Sequence, residues 1–302
     1  MATGHGAPEA VKSKIATTMG KARIFSEAMP FIKRFRNTTV VIKYGGSAMV
    51  DDALRSTFAD DVAMLHYSGI RPVIVHGGGP HISRAMELRG LEPQWVNGLR
   101  VTDEETIRVV QATLAGEVNP DIVRLVNAHG SLAAGVNGLD ANTFLAKPRD
   151  PRLGYVGEVT AVNPALVTAL QTEGYVPVIA PLARGDDGHP YNLNADTAAA
   201  ALARALGARK LVYLTDVEGL YRDLGDEDSL INHITVADLA RLVASGSVSA
   251  GMLPKLESCI EAIRGGVARA HILDGRIQHA LLLEIFTPEG IGTMITEQEE
   301  MS

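Results

Sequence analysis

The chain has one cysteine, Cys259, in 302 residues, which excludes an intrachain disulfide. It sits in a stretch patterned as a helix, where a lone thiol reads as a small buried side chain. No run approaches the ~20 consecutive apolar residues needed to cross a bilayer. The opening residues, MATGHGAPEAVKSK, lack the apolar core of a secretory signal, so a cytoplasmic protein is expected. Positive charge is not in excess: 28 Lys and Arg stand against 35 Asp and Glu, a formal net charge of −7. A dedicated nucleic-acid binder would show a basic stripe, so that class is set aside. A few lysines gathered in one cleft can still hold an anion against an acidic background. Two nucleotide signatures are missing as well. There is no GxxxxGK[ST] loop, and Gly77-Gly78-Gly79 does not extend to GxGxxG, because Ile82 stands at the last position.

What is present is the length and apolar share (46%) of an ordinary globular chain, with one large domain or two lobes. Residues 1–12 read as a flexible tail. Ile15, Met19, Ala22, Phe25, Met29, Ile32 and Phe35 then recur at helix spacing, and Pro30 predicts a kink or break there. This stripe precedes every strand, so a partner subunit is the expected cover. From residue 38 short β-branched runs at 39–43, 72–76, 133–136, 175–180, 210–215, 270–273 and 281–286 read as strands. Helical patterns lie between them, at 51–67, 79–89, 103–115, 118–128, 163–173, 195–206, 236–245 and 253–264. Buried strands alternating with helices predict a three-layer α/β/α sandwich around a mostly parallel sheet. Residues 185–190 (GDDGHP) read as a turn or small hairpin loop. The expected division is a tail and oligomerisation helix over 1–36, a substrate-binding lobe over 37–207, and a nucleotide-binding lobe over 208–302.

Several motifs carry chemistry. Val40-Val41-Ile42-Lys43-Tyr44-Gly45-Gly46-Ser47 is a buried strand ending in a lysine and two glycines, which suits phosphate oxygens. An ordinary tight turn after a surface lysine would look the same. Val73-Ile74-Val75-His76 runs into Gly77-Gly78-Gly79-Pro80-His81, a triplet costly to order unless backbone must approach a ligand closely. His76 and His81 read as local hydrogen-bonding residues before metal ligands or acid–base groups. Tyr191-Asn192-Leu193-Asn194-Ala195-Asp196-Thr197 is both a helix start, with Asn194 or Asp196 as cap, and a compact set of amides with one carboxylate. Ser247-Val248-Ser249-Ala250-Gly251-Met252-Leu253-Pro254-Lys255 puts Lys255 in the first turn of a helix begun by proline. Leu214-Thr215-Asp216-Val217-Glu218-Gly219-Leu220-Tyr221 is a strand with an acidic loop, able to hold a nucleotide or simply to turn.

In their order, KYGG, HGGGP, NGLRVT (97–102), NxNAD, LTDVEGLY and GMxPK resemble the amino-acid kinase family, over residues 15–296. The resemblance implies phosphoryl transfer from ATP to a side-chain carboxylate, with Lys43 and Lys255 flanking the transferring group and Asp196 ordering both lysines. NGLRVT is the segment of those members whose acceptor is N-acetyl-L-glutamate, with Arg100 forking onto its α-carboxylate and Asn192, Gly78 and Gly79 completing its site. Gly45, Gly46, Asp216, Val217, Gly219, Leu220, Tyr221, Ser247 and Ser249 are then the phosphate- and nucleotide-binding set. Mg²⁺ is expected on the ATP phosphates, with no protein ligands. The helix before the first strand resembles that of arginine-inhibited members, whose dimers it interlaces into a hexamer. Glu284 and Gly290 fall in their L-arginine-binding segment. A partner of the PII type stays open, and nucleic acid and membrane are not expected partners.

Overall fold

Val40, Val41 and Ile42 are apolar at consecutive positions, so the strand they form needs cover on both faces. The computed structural model describes residues 19, 23, 26–222, 226, 229–246, 248, 251–288 and 290–298. In it this strand, β1 (Thr39–Tyr44), lies inside an eight-stranded sheet. On one side of β1 stand β2 (Arg71–His76), β8 (Val176–Ala180) and β5 (Ala133–Asn137); on the other stand β11 (Lys210–Thr215), β13 (Arg269–Asp274), β14 (Thr293–Thr296) and β12 (His233–Thr235). Every neighbouring pair is parallel except β13 with β14.

Side chains alternate across β1. Val41 joins a core with Tyr213 of β11, Ala199 and Leu202 of α7 (Ala195–Ala205) and Leu256 of α9 (Leu253–Arg264). Val40 and Ile42 join a second core, with Phe58 and Val62 of α2 (Asp52–Tyr67) and Ile122 of α5 (Asn119–Asn127). Helices therefore cover both faces, and the fold is the three-layer α/β/α sandwich the sequence implies. Each fully buried aliphatic side chain contributes roughly 1.5–3 kcal/mol. Among the described residues no helix is long and apolar enough to cross a membrane.

A smaller closed barrel of β6 (Phe144–Pro148), β7 (Val156–Val162), β9 (Leu182–Gly185) and β10 (Pro190–Leu193) flanks the sheet. The turn between β9 and β10 is the hairpin loop expected at 185–190. A two-stranded ribbon, β3 (Trp95–Val96) and β4 (Leu99–Arg100), stands apart, after α3 (Gly79–Glu87) and before α4 (Glu104–Thr113).

Two expectations are corrected. Residues 281–286 are not a strand but most of α10 (Ala280–Phe286). Ala280, Leu281, Glu284 and Ile285 share a buried side, at a spacing of one, three and four that only a helix aligns, and Phe286 is buried at its end. Leu and Ala favour helix, and Ile285 is the sole β-branched residue in the run. The place beside β13 is filled instead by Thr293–Thr296. Pro30 does not break its helix either: α1 runs through it over 26–35. Phe35 is buried, with Ala28, Phe31 and Ile32 packed against the second core, which offsets the hydrogen bond the proline forgoes. The stripe is thus partly covered by its own chain, while Met19 and Met29 are exposed. Ile15, Ala22 and Phe25 lie outside the described residues.

Candidate active site

The strand order reverses about β1, and open α/β sheets hold ligands beyond the carboxyl ends of strands at such a point. Lys43 is the next-to-last residue of β1, and its Nζ lies 3.0 Å from Asp196 Oδ1. Lys255 reaches the same carboxylate from the first turn of α9, with Nζ 2.8 Å from Oδ2. Asp196 is fixed by its own helix end, since Asn194 Oδ1 caps α7 by accepting from the N–H groups of Asp196 and Thr197. Tyr213 Oη donates to the Asp196 carbonyl, and its ring lies 5.3 Å from Lys255 Nζ. Burial alone would raise the Asp196 carboxyl, but Lys43 and Lys255 together reverse this and hold it at about 2. Lys255 is pulled down by burial and by Lys43, against the opposing pull of Asp196. The trio therefore carries one net positive charge at a water-poor spot, where charge acts strongly on a neighbouring anion.

The glycine triplet follows β2 and opens α3. Gly77 N–H donates to the Tyr44 carbonyl, and the Gly77 carbonyl accepts from His76 Nδ1 at 2.7 Å. Ile82 N–H takes the Gly78 carbonyl, and Arg100 Nη2 takes that of Gly79. All three carbonyls are engaged, and the N–H groups of Gly78 and Gly79 have no acceptor among the described residues. Two bare donors at a helix start form an anion cradle. A Cβ at Gly78 would lie 2.4 Å from Leu114 Cδ2, so a larger residue there would have to push that side-chain tip aside. Leu114 begins a π-helical turn, Leu114–Val118, between α4 and α5. Such turns often mark functional sites.

Asn97-Gly98 turns the β3–β4 ribbon with φ of 50° and 76°, the left-handed pair of a two-residue hairpin. That turn presents Arg100 and Trp95 on one side. Arg100 Nη2 donates to Ser83 Oγ at 2.8 Å as well as to Gly79, and the Trp95 ring stacks 4.4 Å from its Cζ. Burial lowers the guanidinium pKa. Lys43, Gly78, Gly79, Arg100, Asn192 and Asp196 line one cavity of about 190 Å³.

The described residues of the expected nucleotide set lie outside the lining of this cavity. Gly45 and Gly46 form the turn after β1, and Asp216 at the end of β11 closes it: its Oδ1 accepts from Ser47 N–H at 2.7 Å and Ser47 Oγ at 2.6 Å. Gly46 has φ of 75°, and a Cβ there would meet Asp216 Oδ1 at 2.5 Å. Leu220 N–H donates to Thr293 Oγ1, Tyr221 Oη bonds Glu218, and Val217 packs on the first core. Asp216, Val217, Gly219, Leu220 and Tyr221 lie outside the lining of the Lys43 cavity. Ser247 and Ser249 lie outside the described residues.

Glu284 and Gly290 meet at a second cavity, of about 340 Å³, together with Phe31 and Arg34 of α1, Lys210 and His271. Glu284 Oε1 lies 2.6 Å from His271 Nδ1, and Oε2 accepts from Ile291 N–H at 3.0 Å. Burial pushes His271 down to about 4, so this ring is neutral at pH 7. His76 is fully buried and hydrogen-bonded, His81 lies in the first turn of α3, and Cys259 is buried with its thiol pushed up by that burial. No group of three or more His, Cys, Asp or Glu that could hold a metal occurs among the described residues.

Sequence reading missed Trp95, Ser83 and Leu114 in this site. Asn-Gly between β-prone residues was the available signal for the ribbon that brings Trp95 to Arg100. Ser83 and Leu114 carried no local signal.

The sequence pattern of the amino acid kinase family matches residues 38–274. Proteins named acetylglutamate kinase are similar along nearly the whole chain. That of Streptomyces avermitilis is 48% identical, covering 94% of this chain and 95% of its own length. That of Acidothermus cellulolyticus is 50% identical, with 93% and 98% covered. Among solved structures, N-acetylglutamate synthase from Neisseria gonorrhoeae, complexed with coenzyme A and N-acetyl-glutamate, superposes with a TM-score of 0.81 at 29% identity, over 93% of this chain. The match spans 64% of that synthase's length. Carbamate kinase from Giardia lamblia bound to AMP-PNP, with a TM-score of 0.66, 19% identity and 87% and 99% covered, shares the fold.

Proposed function

This chain belongs to the amino acid kinase family and is a phosphotransferase with a carboxyl acceptor, and on that premise we propose that its substrates are ATP and N-acetyl-L-glutamate. The product is N-acetyl-L-glutamyl 5-phosphate, a step towards arginine. The observation that carries the reading is Asp196 holding Lys43 and Lys255, from different elements, on its two oxygens beside the bare N–H groups of Gly78 and Gly79.

The γ-carboxylate is ionised at neutral pH, so no base is needed. One of its oxygens attacks the γ-phosphorus, the bond from that phosphorus to the β-phosphate bridging oxygen breaks, and ADP leaves with the electron pair. Charge spreads over the transferring oxygens, and positioning with electrostatic stabilisation supplies most of the rate. The two lysines and the glycine N–H pair are aimed at that charge. Asp196 keeps the ammonium groups from repelling each other apart. With both its oxygens on lysines, Asp196 is not left to ligate a metal. Mg²⁺ accordingly belongs to the substrate, carried on the phosphates of ATP.

Arg100 binds the α-carboxylate, its plane held by Ser83, the Gly79 carbonyl and the Trp95 ring, and Asn192 completes the acid's site. Gly45, Gly46 and the 216–221 segment, with Ser247 and Ser249, take the nucleotide side, so residues 37–207 and 208–302 act as two lobes. L-arginine binds the Glu284–Gly290 cavity against α1 and inhibits. Residues 1–36 join dimers into a larger ring, and the enzyme works in the cytoplasm.

A coupled ADP-release assay with N-acetyl-L-glutamate, glutamate and aspartate, each with and without L-arginine, tests this. Turnover confined to N-acetyl-L-glutamate is expected. Equal turnover of free glutamate, or none with any acid, would remove the reading.

A further inference from the structure

His76 ends β2 one residue before the glycine triplet and is fully buried, so its ring reaches no ligand. Both its nitrogens are nevertheless committed. Nε2 lies 3.1 Å from Asn119 Nδ2, and Nδ1 lies 2.7 Å from the Gly77 carbonyl. Asn119 fixes which nitrogen carries the proton. Its Nδ2 also donates to the Val178 carbonyl at 2.8 Å, so that end of the amide is the NH₂ group. Its Oδ1 faces Gly135, where a Cβ would lie only 2.3 Å away, so the contact needs glycine in β5. An NH₂ group can only donate, so Nε2 accepts and the proton sits on Nδ1. Nδ1–H therefore donates to the Gly77 carbonyl.

That carbonyl belongs to the peptide whose N–H is that of Gly78. In a planar trans peptide the C=O and N–H point in opposite directions. Pinning the Gly77 carbonyl onto the ring turns the Gly78 N–H away from it. The Gly77 N–H, on the preceding peptide, is tied to the Tyr44 carbonyl, so the backbone entering the Gly77–Gly78 peptide is held as well.

We propose that His76 is a positioning residue for phosphoryl transfer: it locks the Gly77–Gly78 peptide in the orientation that presents the Gly78 N–H to the Lys43 cavity. A glycine triplet by itself is free to flip such a peptide, because glycine allows both backbone hands. The rigid strands β5 and β8 supply the reference, transmitted through Asn119 to the ring. Burial holds the imidazole pKa down to about 4, so the lock is neutral at working pH. The inference rests on the kinase reading for its effect on turnover, and on hydrogen-bond geometry alone for the orientation.

Two substitutions separate the ends of the ring. His76→Asn places an amide nitrogen where Nδ1 is and keeps the donor to Gly77, while losing the Asn119 contact. His76→Gln reaches Asn119 and loses Gly77. Turnover should fall on the order of 10²-fold in His76→Gln, the loss that follows removal of one oxyanion donor. The KM for ATP should move little, and His76→Asn should retain most of the turnover. Thermal stability should follow the reverse order, with His76→Asn the less stable. If both variants lose turnover in proportion to stability, the ring is merely structural and the proposal is overturned. A second arm needs no substrate. Imidazole ¹⁵N shifts should show Nδ1 protonated and Nε2 bare between about pH 6 and 8. The Gly78 amide resonance should move in His76→Gln and stay in His76→Asn. The opposite tautomer, or an unmoved Gly78, overturns the lock even in an active enzyme. Inactivity of the unaltered chain towards N-acetyl-L-glutamate would instead remove the kinase reading, leaving the second arm to decide the orientation.

Discussion

Beside the carboxyl end of β1 a largely buried carboxylate, Asp196, is shared by two ammonium groups. On α10, against β13, another, Glu284, is shared by a neutral imidazole and a backbone N–H. Strand β11 joins the two regions, with Lys210 at its start lining the Glu284 cavity and Asp216 beyond its end closing the Gly46 turn. The chemistry differs more than the residue types do. Asp196 is outnumbered by the cations it holds, which leaves positive charge beside two bare N–H groups. Glu284 spends its oxygens on bracing β13 to the 290–292 loop. A carboxylate between two lysines organises charge for a ligand, whereas one between an imidazole and a peptide organises backbone.

The largest test of that contrast is loss of either lysine. Lys43→Ala or Lys255→Ala should reduce kcat roughly 10²- to 10³-fold, as for other lost transition-state contacts. Steady-state kinetics decide, and Glu284→Gln should cost far less turnover. Near-native kcat in either lysine variant would erase the difference between the two regions.

Arg100→Lys comes next. A point charge cannot reproduce a planar fork held by Ser83 and Trp95. The KM for N-acetyl-L-glutamate should rise roughly ten- to a hundredfold, the worth of a hydrogen bond to a charged group. The KM for ATP should stay put, and the reverse pattern would move Arg100 to the nucleotide side.

The pH dependence of stability sharpens the comparison further. Asp196 sits at about 2 in the folded chain, below the unfolded carboxyl value. Its stabilisation is therefore present above about pH 4 and is lost as pH falls towards about 2. The size is of order 2 kcal/mol. Denaturant titrations of the unaltered chain and Asp196→Asn should converge through that window, and parallel curves would show that the lysines do not hold the carboxylate.

The smallest effect on chemistry is expected from the amino terminus. Removing residues 1–25 keeps Phe31, Ile32 and Phe35 in the core, whereas a cut at 36 would strip buried Phe35. Light scattering should then show a smaller oligomer, and arginine titration a blunted inhibition, with kcat retained. An unchanged particle that remains equally arginine-sensitive would detach the second cavity from α1.

The central sheet was legible because β1, β2, β8 and β11 are buried on both faces and so read as unbroken apolar runs. The barrel was not. Phe144-Leu145-Ala146-Lys147-Pro148 and Val156-Gly157-Glu158-Val159 mix charge and glycine into half-exposed strands, and their pairing is set by contacts far along the chain. Residues 281–286 are short enough that an apolar run fits either period. In the site, Lys43, Asp196, Arg100 and the glycine loops announced themselves by motif. The His76–Asn119 contact did not, since 43 residues separate the partners and Asn119 belongs to none of the motifs.

Trp95 has a practical consequence. It is the only tryptophan in the chain, half-exposed, and its ring stacks on Arg100 at the cavity mouth. Its indole emission is therefore an intrinsic optical reporter of one site, uncontaminated by a second fluorophore of its kind. Filling the cavity with the acceptor acid should exclude water from the ring and shift that emission to the blue. Stopped-flow recording can thus time acid binding separately from ATP binding, with no label and no substitution.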